Sequence, residues 1–92
     1  MQNPTQKHRA QQLFAANMRR IRLERKLTQE KVAEAAGLHP NYISSVERGE
    51  RNISICNIES IAFALGVSMG DLVADLLPQE KRRLSQGKLS VT

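Results

Sequence analysis

The stretch TQEKVAEAAGLHPNYISSVERG, residues 28–49, decides the fold of this chain. It predicts two short helices joined by a tight turn. Thr28 suits the N-cap of the first helix, because its hydroxyl accepts an amide that would otherwise be unpaired. Gly37 can adopt the left-handed conformation that ends this helix, and Pro40 suits the first turn of the next. The pattern therefore predicts a helix-turn-helix, a motif whose second helix enters the major groove of DNA.

The second helix of this motif, predicted over residues 40–48, has an apolar and a polar face when it is plotted at about 100° per residue. The polar face holds an amide, two hydroxyls and a guanidinium, which can hydrogen-bond to base edges and phosphates. The alternative is an amphipathic helix whose polar face is only solvated. The formal charge of +5, from 14 Lys and Arg against 9 Asp and Glu, favours a polyanionic partner. The apolar face comprises Tyr42, Ile43 and Val46, and the polar face comprises Asn41, Ser44, Ser45 and Arg48.

Composition argues against several other classes of protein. No apolar run approaches the roughly 18 residues of a membrane span, and the N-terminus has no apolar core typical of a signal peptide. Cys56 is the single cysteine, which excludes an internal disulfide and fits a cytoplasmic protein. Because Ile55 and Ile58 flank it, we expect Cys56 to be a small buried filler. His8 and His39 lack partners at metal-binding spacing, and no nucleophile–base pair is visible. We therefore expect no enzyme activity, metal, cofactor or small-molecule substrate.

Apolar periodicity predicts an all-α chain with no competing β-alternation. Ser68 and Asp71 form a capping-box pattern that opens the last helix, and Pro78 ends it. This helix has more apolar positions than one core face needs, which predicts a dimer interface there. The predicted interface comprises Met69, Val73, Leu76 and Leu77.

The predicted helices and segments divide the chain as follows. The five helices are expected at residues 9–26, 29–36, 40–48, 55–65 and 69–77. Residues 1–8 are expected to form a flexible segment, residues 9–77 the helix-turn-helix domain, and residues 78–92 a polar tail.

Two quoted runs carry a family resemblance that covers about two thirds of the chain. Residues 17–77 resemble the compact five-helix DNA-binding domain of lambda-type phage repressors and Cro proteins. YISSVERGERNIS, followed by IESIAFALGVSMGDL, more closely resembles the small controller proteins of restriction–modification systems. The resemblance implies a cytoplasmic homodimer that binds a palindromic operator in double-stranded DNA and regulates transcription. The alternative is an antitoxin-like DNA-binding module that neutralises a partner protein, although the short polar tail LSQGKLSVT has few apolar anchors for such a partner.

The same resemblance implies roles for individual residues. Arg22 and Glu47 match an ion pair that joins the first helix to the third. Pro40 departs from the family, whose members commonly place a base-reading side chain there, and proline offers only an apolar contact with a thymine methyl. His39 either compensates for this loss or serves only helix entry. Together with the polar face, the resemblance predicts base contacts by Asn41, Tyr42, Ser44, Ser45 and Arg48, and phosphate contacts by Thr28, Gln29, Arg51 and Asn52.

Overall fold

The computed structural model describes residues 9–75, and every regular element among them is an α-helix. This confirms the prediction of an all-α fold with five helices. Leu76, Leu77, the predicted flexible segment 1–8 and the polar tail 78–92 lie outside the described residues. None of the described helices is long and apolar enough to cross a membrane. The helices are α1 (Arg9–Glu24), α2 (Gln29–Ala36), α3 (Pro40–Glu47), α4 (Ile55–Leu65) and α5 (Met69–Val73).

The helix-turn-helix consists of α2 and α3, and its caps lie where the sequence places them. The Thr28 hydroxyl accepts a hydrogen bond from the Lys31 N–H at 3.0 Å, which satisfies one of the unpaired amides at the start of α2. Gly37 ends α2 in the left-handed conformation, with φ of 70°. α3 begins at Pro40. The turn between the helices is thus specified by local residues.

α5 is shorter than the sequence predicts. The capping box of Ser68 and Asp71 is present, with both hydrogen bonds at 3.1 Å. However, the helix ends at Val73, and Ala74 is already extended. The side-chain amide of Asn17, which is buried in α1, donates to the carbonyls of Leu72 at 3.0 Å and Ala74 at 2.9 Å. These two bonds satisfy carbonyls at the end of α5 and tie it to α1.

The core lies between α1, α2, α3 and α4, with one side chain from α5. Its position places the inner face of α3 against the domain and leaves the outer face accessible. Cys56 is exposed, so the prediction that it is a buried filler is wrong. It lies on the side of α4 opposite the buried residues of that helix. The core side chains are Phe14, Met18, Ile21, Val32, Ala33, Ile43, Val46, Ile61, Ala62, Leu65 and Leu72.

Candidate nucleic-acid interface

The outer face of α3 carries a polar strip formed by Asn41, Ser44 and Arg48, at i, i+3 and i+7 spacing. Asn41 and Arg48 are exposed and Ser44 is half-buried, whereas Ile43 and Val46 on the other face are buried in the core. No hydrogen bond from elsewhere in residues 9–75 occupies the side chain of Asn41. Asn41 therefore presents a free amide to any surface that α3 approaches, whereas Ser44 and Arg48 are bonded to each other.

Ser45 does not lie on the polar strip, which corrects the placement predicted from the helical plot. It is only 5% exposed, because the loop after α3 folds back over this flank and the Glu50 N–H donates to the Ser45 carbonyl at 3.1 Å. The Ser45 hydroxyl donates to the Tyr42 carbonyl at 2.7 Å and accepts from Arg51 Nε at 2.9 Å. Ser45 thus joins α3 to the loop in this structure, and its base contact stays a prediction.

Tyr42 is half-buried on the same flank of α3. Its hydroxyl accepts a hydrogen bond from Asn57 Nδ2 at 3.1 Å, which links α3 to α4. The guanidinium of Arg51 lies over the ring, 5.7 Å from its centroid, as in a cation–π contact. The tyrosine hydroxyl keeps its own proton for donation. Its ring is therefore structural, and its hydroxyl is the part that remains available.

Glu47, on the side of α3 that faces the domain, joins α3 to α1 and α2 through a hydrogen-bond network. Arg22 donates to the Glu47 carboxylate through Nε at 2.6 Å and Nη2 at 3.0 Å. Gln29 Nε2 donates to the same carboxylate at 3.0 Å, and Arg22 Nη1 donates to the Leu27 carbonyl at 2.8 Å. The two charged side chains are only 11% and 4% exposed. This buried, multiply bonded pair fixes the orientation of α3 relative to the rest of the domain.

The N-terminus of α2 adjoins the polar strip across an open cleft. The cleft is lined by Thr28 and Gln29 on one side and by Asn41 and Ser44 on the other. Within the described part of the chain, the backbone N–H groups of Gln29 and Glu30 have no hydrogen-bond partner, as is usual at a helix start. Such amides, together with the helix dipole, favour an anion. The cleft therefore combines predicted phosphate-contacting residues with predicted base-contacting residues.

Arg51 and Asn52 lie at the opposite end of α3, and both are exposed. The loop that carries them begins at Gly49, whose φ is 76° and whose carbonyl accepts from the side-chain amides of Gln11 at 3.3 Å and Gln12 at 3.5 Å. Because these glutamines belong to α1, the loop is held by the same helix that supplies Arg22. The two predicted phosphate-contacting segments therefore lie on either side of one anchored helix.

His39 is the N-cap of α3. Its Nδ1 accepts a hydrogen bond from the Asn41 N–H at 3.0 Å. Of the two roles that the sequence left open, the structure supports helix entry.

Glu50 is a member of the site that the sequence analysis missed. Its carboxylate accepts from Arg48 Nε at 3.0 Å and Nη2 at 3.2 Å. The hydrogen bond to Glu50 and then the charge of its carboxylate raise the pKa of the Arg48 guanidinium. The sequence did offer a signal for this pair, because Glu50 is an acid only two residues after Arg48, a predicted DNA-contacting arginine.

Comparison with known proteins agrees with this geometry. A model of the helix-turn-helix family matches residues 18–72. The control protein C.BamHI of Bacillus amyloliquefaciens is 50% identical over 62 residues, which cover 66% of this chain and 76% of that protein. The crystal structure of the hypothetical transcription factor NHTF from Neisseria has 41% identity and a TM-score of 0.71, and the match covers 82% of this chain and 84% of that chain.

The restriction-modification controller protein C.AhdI from Aeromonas hydrophila has a similar structure. Its TM-score is 0.68 at 35% identity, over 71% of this chain and 98% of that chain. These findings confirm the resemblance that the sequence indicated. The chain therefore belongs to the XRE-type helix-turn-helix family of DNA-binding transcriptional regulators, and its relatives include restriction–modification controller proteins.

Proposed function

We propose that this protein is a dimeric, sequence-specific regulator of transcription that inserts α3 into the major groove of a palindromic operator. One observation carries the proposal: α3 is anchored from behind by the buried Arg22–Glu47 pair while its strip of Asn41, Ser44 and Arg48 faces outward. A rigid helix with an outward polar strip matches what base reading in the major groove requires.

In this proposal, two segments of the protein contact DNA phosphates, one on each side of α3. The first is the N-terminus of α2, where Thr28, Gln29 and two unpaired amides meet a phosphate. The second is the loop that carries Arg51 and Asn52. Contacts of this kind fix register on the duplex without reading sequence, and they make affinity depend strongly on salt.

The proposed dimer forms through α5 and the end of α4. Phe63 is 79% exposed and Val73 is 50% exposed, while Met69 packs partly against the core. These exposed apolar side chains support an interface here, because a partner would remove them from water. Two-fold pairing doubles the polar contacts and requires half-sites about one helical turn, or ~34 Å, apart.

We further propose that the regulated genes belong to a restriction–modification system. The support is the similarity to C.BamHI, a control protein, and to C.AhdI, a restriction-modification controller protein. The operator is then expected upstream of the gene for this protein or of its neighbours.

Selection of binding sites from random double-stranded DNA tests the proposal. The purified protein should enrich an inverted repeat whose half-sites are centred about 10 base pairs apart, and sedimentation should show a dimer. Failure to enrich any sequence would contradict the proposed function. Enrichment of a single half-site by a monomer would remove the dimer and leave the base-reading role of α3.

A further inference from the structure

The side chain of Arg48 is held in one orientation by two neighbours. Glu50 accepts from Nε at 3.0 Å and from Nη2 at 3.2 Å, which occupies one edge of the guanidinium. The Ser44 hydroxyl accepts from Nη1 at 2.6 Å. Each of the three guanidinium nitrogens therefore has a partner, although the Arg48 and Glu50 side chains are each 56% exposed. These three hydrogen bonds define a single orientation of the Arg48 guanidinium in the structure.

Two N–H groups of the Arg48 guanidinium have no hydrogen-bond partner within residues 9–75. A guanidinium has five N–H donors, and three of them are used by Glu50 and Ser44. One N–H remains on Nη1 and one on Nη2. A pair of donors on adjacent nitrogens matches two acceptors in one plane, such as guanine O6 and N7 or two oxygens of a phosphate.

We propose that Glu50 and Ser44 are positioning residues that hold Arg48 for a bidentate contact with DNA. This inference rests on the proposed function, because it requires α3 to face DNA. It assigns to Glu50 a role in operator binding despite its negative charge. It also gives Ser44 a role that does not require direct contact with a base.

Because Glu50 is negatively charged, the proposal can be tested by whether its replacement raises or lowers the affinity for DNA. Removing a carboxylate near DNA should strengthen binding if the carboxylate acts only through repulsion of phosphates. Glu50→Gln replaces one carboxylate oxygen by an NH2 group, which cannot accept from Arg48. The variant therefore releases one edge of the guanidinium, and binding should weaken if that edge positions the contact.

The experiment compares wild-type protein, Glu50→Gln and Glu34→Gln on the selected operator and on a scrambled duplex of equal length. Glu34 is exposed on α2, so Glu34→Gln reproduces the change in net charge without affecting Arg48. Glu50→Gln should weaken operator binding about 2- to 10-fold, the value of one misplaced hydrogen bond, while Glu34→Gln should not weaken it. Thermal unfolding of both variants should match that of wild type, since both sites are exposed.

Repeating the Glu50→Gln substitution in an Arg48→Lys variant tests whether its effect on binding acts through Arg48. Arg48→Lys keeps the positive charge but lacks the planar pair of donors. In this background Glu50→Gln should no longer weaken binding. Equal weakening in both backgrounds, or an increase in operator affinity from Glu50→Gln in wild type, would overturn the proposal.

The same binding measurements, extended to operators with single base-pair substitutions, distinguish a base contact of Arg48 from a phosphate contact. They also separate failure of the positioning role from failure of the proposed function. Loss of preference at one guanine identifies a base contact, whereas equal weakening on the operator and the scrambled duplex identifies a phosphate contact. Either result supports the positioning role. If wild-type protein does not prefer the operator over the scrambled duplex, the proposed function itself fails, whatever Glu50→Gln does.

Discussion

Replacing Glu47 alone should strongly destabilise the domain. The Glu47 carboxylate accepts three hydrogen bonds, two from Arg22 and one from Gln29, and its side chain is 4% exposed. Glu47→Gln nearly preserves the shape of the side chain but removes its charge. It leaves the buried Arg22 guanidinium without a counter-charge and turns an NH2 group toward N–H donors.

The expected magnitude follows from this burial. Breaking a buried ion pair by removing one partner costs about 3–5 kcal/mol in free energy of unfolding. For a domain of this size, 1 kcal/mol corresponds to roughly 4–8 °C, so Tm should fall by at least about 12 °C. Replacing both partners by apolar residues, as in Arg22→Met with Glu47→Leu, should recover much of the loss because neither charge is then left unpaired.

Urea and thermal unfolding, followed by circular dichroism, measure the free energy of unfolding and the Tm that test this prediction. Glu34→Gln is the matched control, because the same substitution at an exposed position should change the free energy of unfolding by less than about 0.5 kcal/mol. If Glu47→Gln were as stable as Glu34→Gln, the pair would be a solvent-screened contact, and the argument that it anchors α3 would be wrong.

Three further predictions concern reading, the turn after α3 and assembly. Asn41→Ala should cost about 1–3 kcal/mol on the best operator and relax preference at one base pair, whereas Asn52→Ala should weaken all duplexes by similar factors. Competition binding separates these effects, and identical behaviour would mean that the recognition face lies elsewhere. Gly49→Ala should lower stability by more than about 1 kcal/mol, because φ there is 76°, and a Cβ would also displace the flexible end of the Gln12 side chain. Gly70→Ala, whose Cβ would meet its nearest neighbour at 3.7 Å, is the control in chemical unfolding, and an equal loss would refute the reasoning. Val73→Asp should give a folded monomer in sedimentation velocity, and an unchanged dimer would place the interface on another surface.

Features specified by adjacent residues could be predicted from the sequence. Thr28 and Gly37 cap the two ends of α2, and Ser68 with Asp71 caps the start of α5. Caps can be predicted because they depend on residues within one turn of the helix end. The outward placement of Asn41 also follows from helical geometry alone. These local signals were enough to predict the position of the helix-turn-helix.

Features that depend on distant residues could not be predicted in this way. The carbonyls at the end of α5 are satisfied by Asn17, which is more than 50 residues away in sequence. Ser45 is buried because the following loop folds back over its flank of α3, and this loop is held by glutamines of α1. The exposure of Cys56 likewise reflects which side of α4 meets the core. A helical plot gives the angle of each residue but does not show which parts of the chain cover it.

The salt dependence of operator binding tests the central claim most directly. We expect the logarithm of the association constant to fall against the logarithm of salt concentration with a slope of roughly −5 to −7, as for a dimer that neutralises about 6–8 phosphates. At physiological salt, the operator should bind at least about 1,000-fold more tightly than a scrambled duplex. A slope near zero, or equal affinity for the two duplexes, would contradict the account of α3 as a sequence-reading helix held between two phosphate contacts.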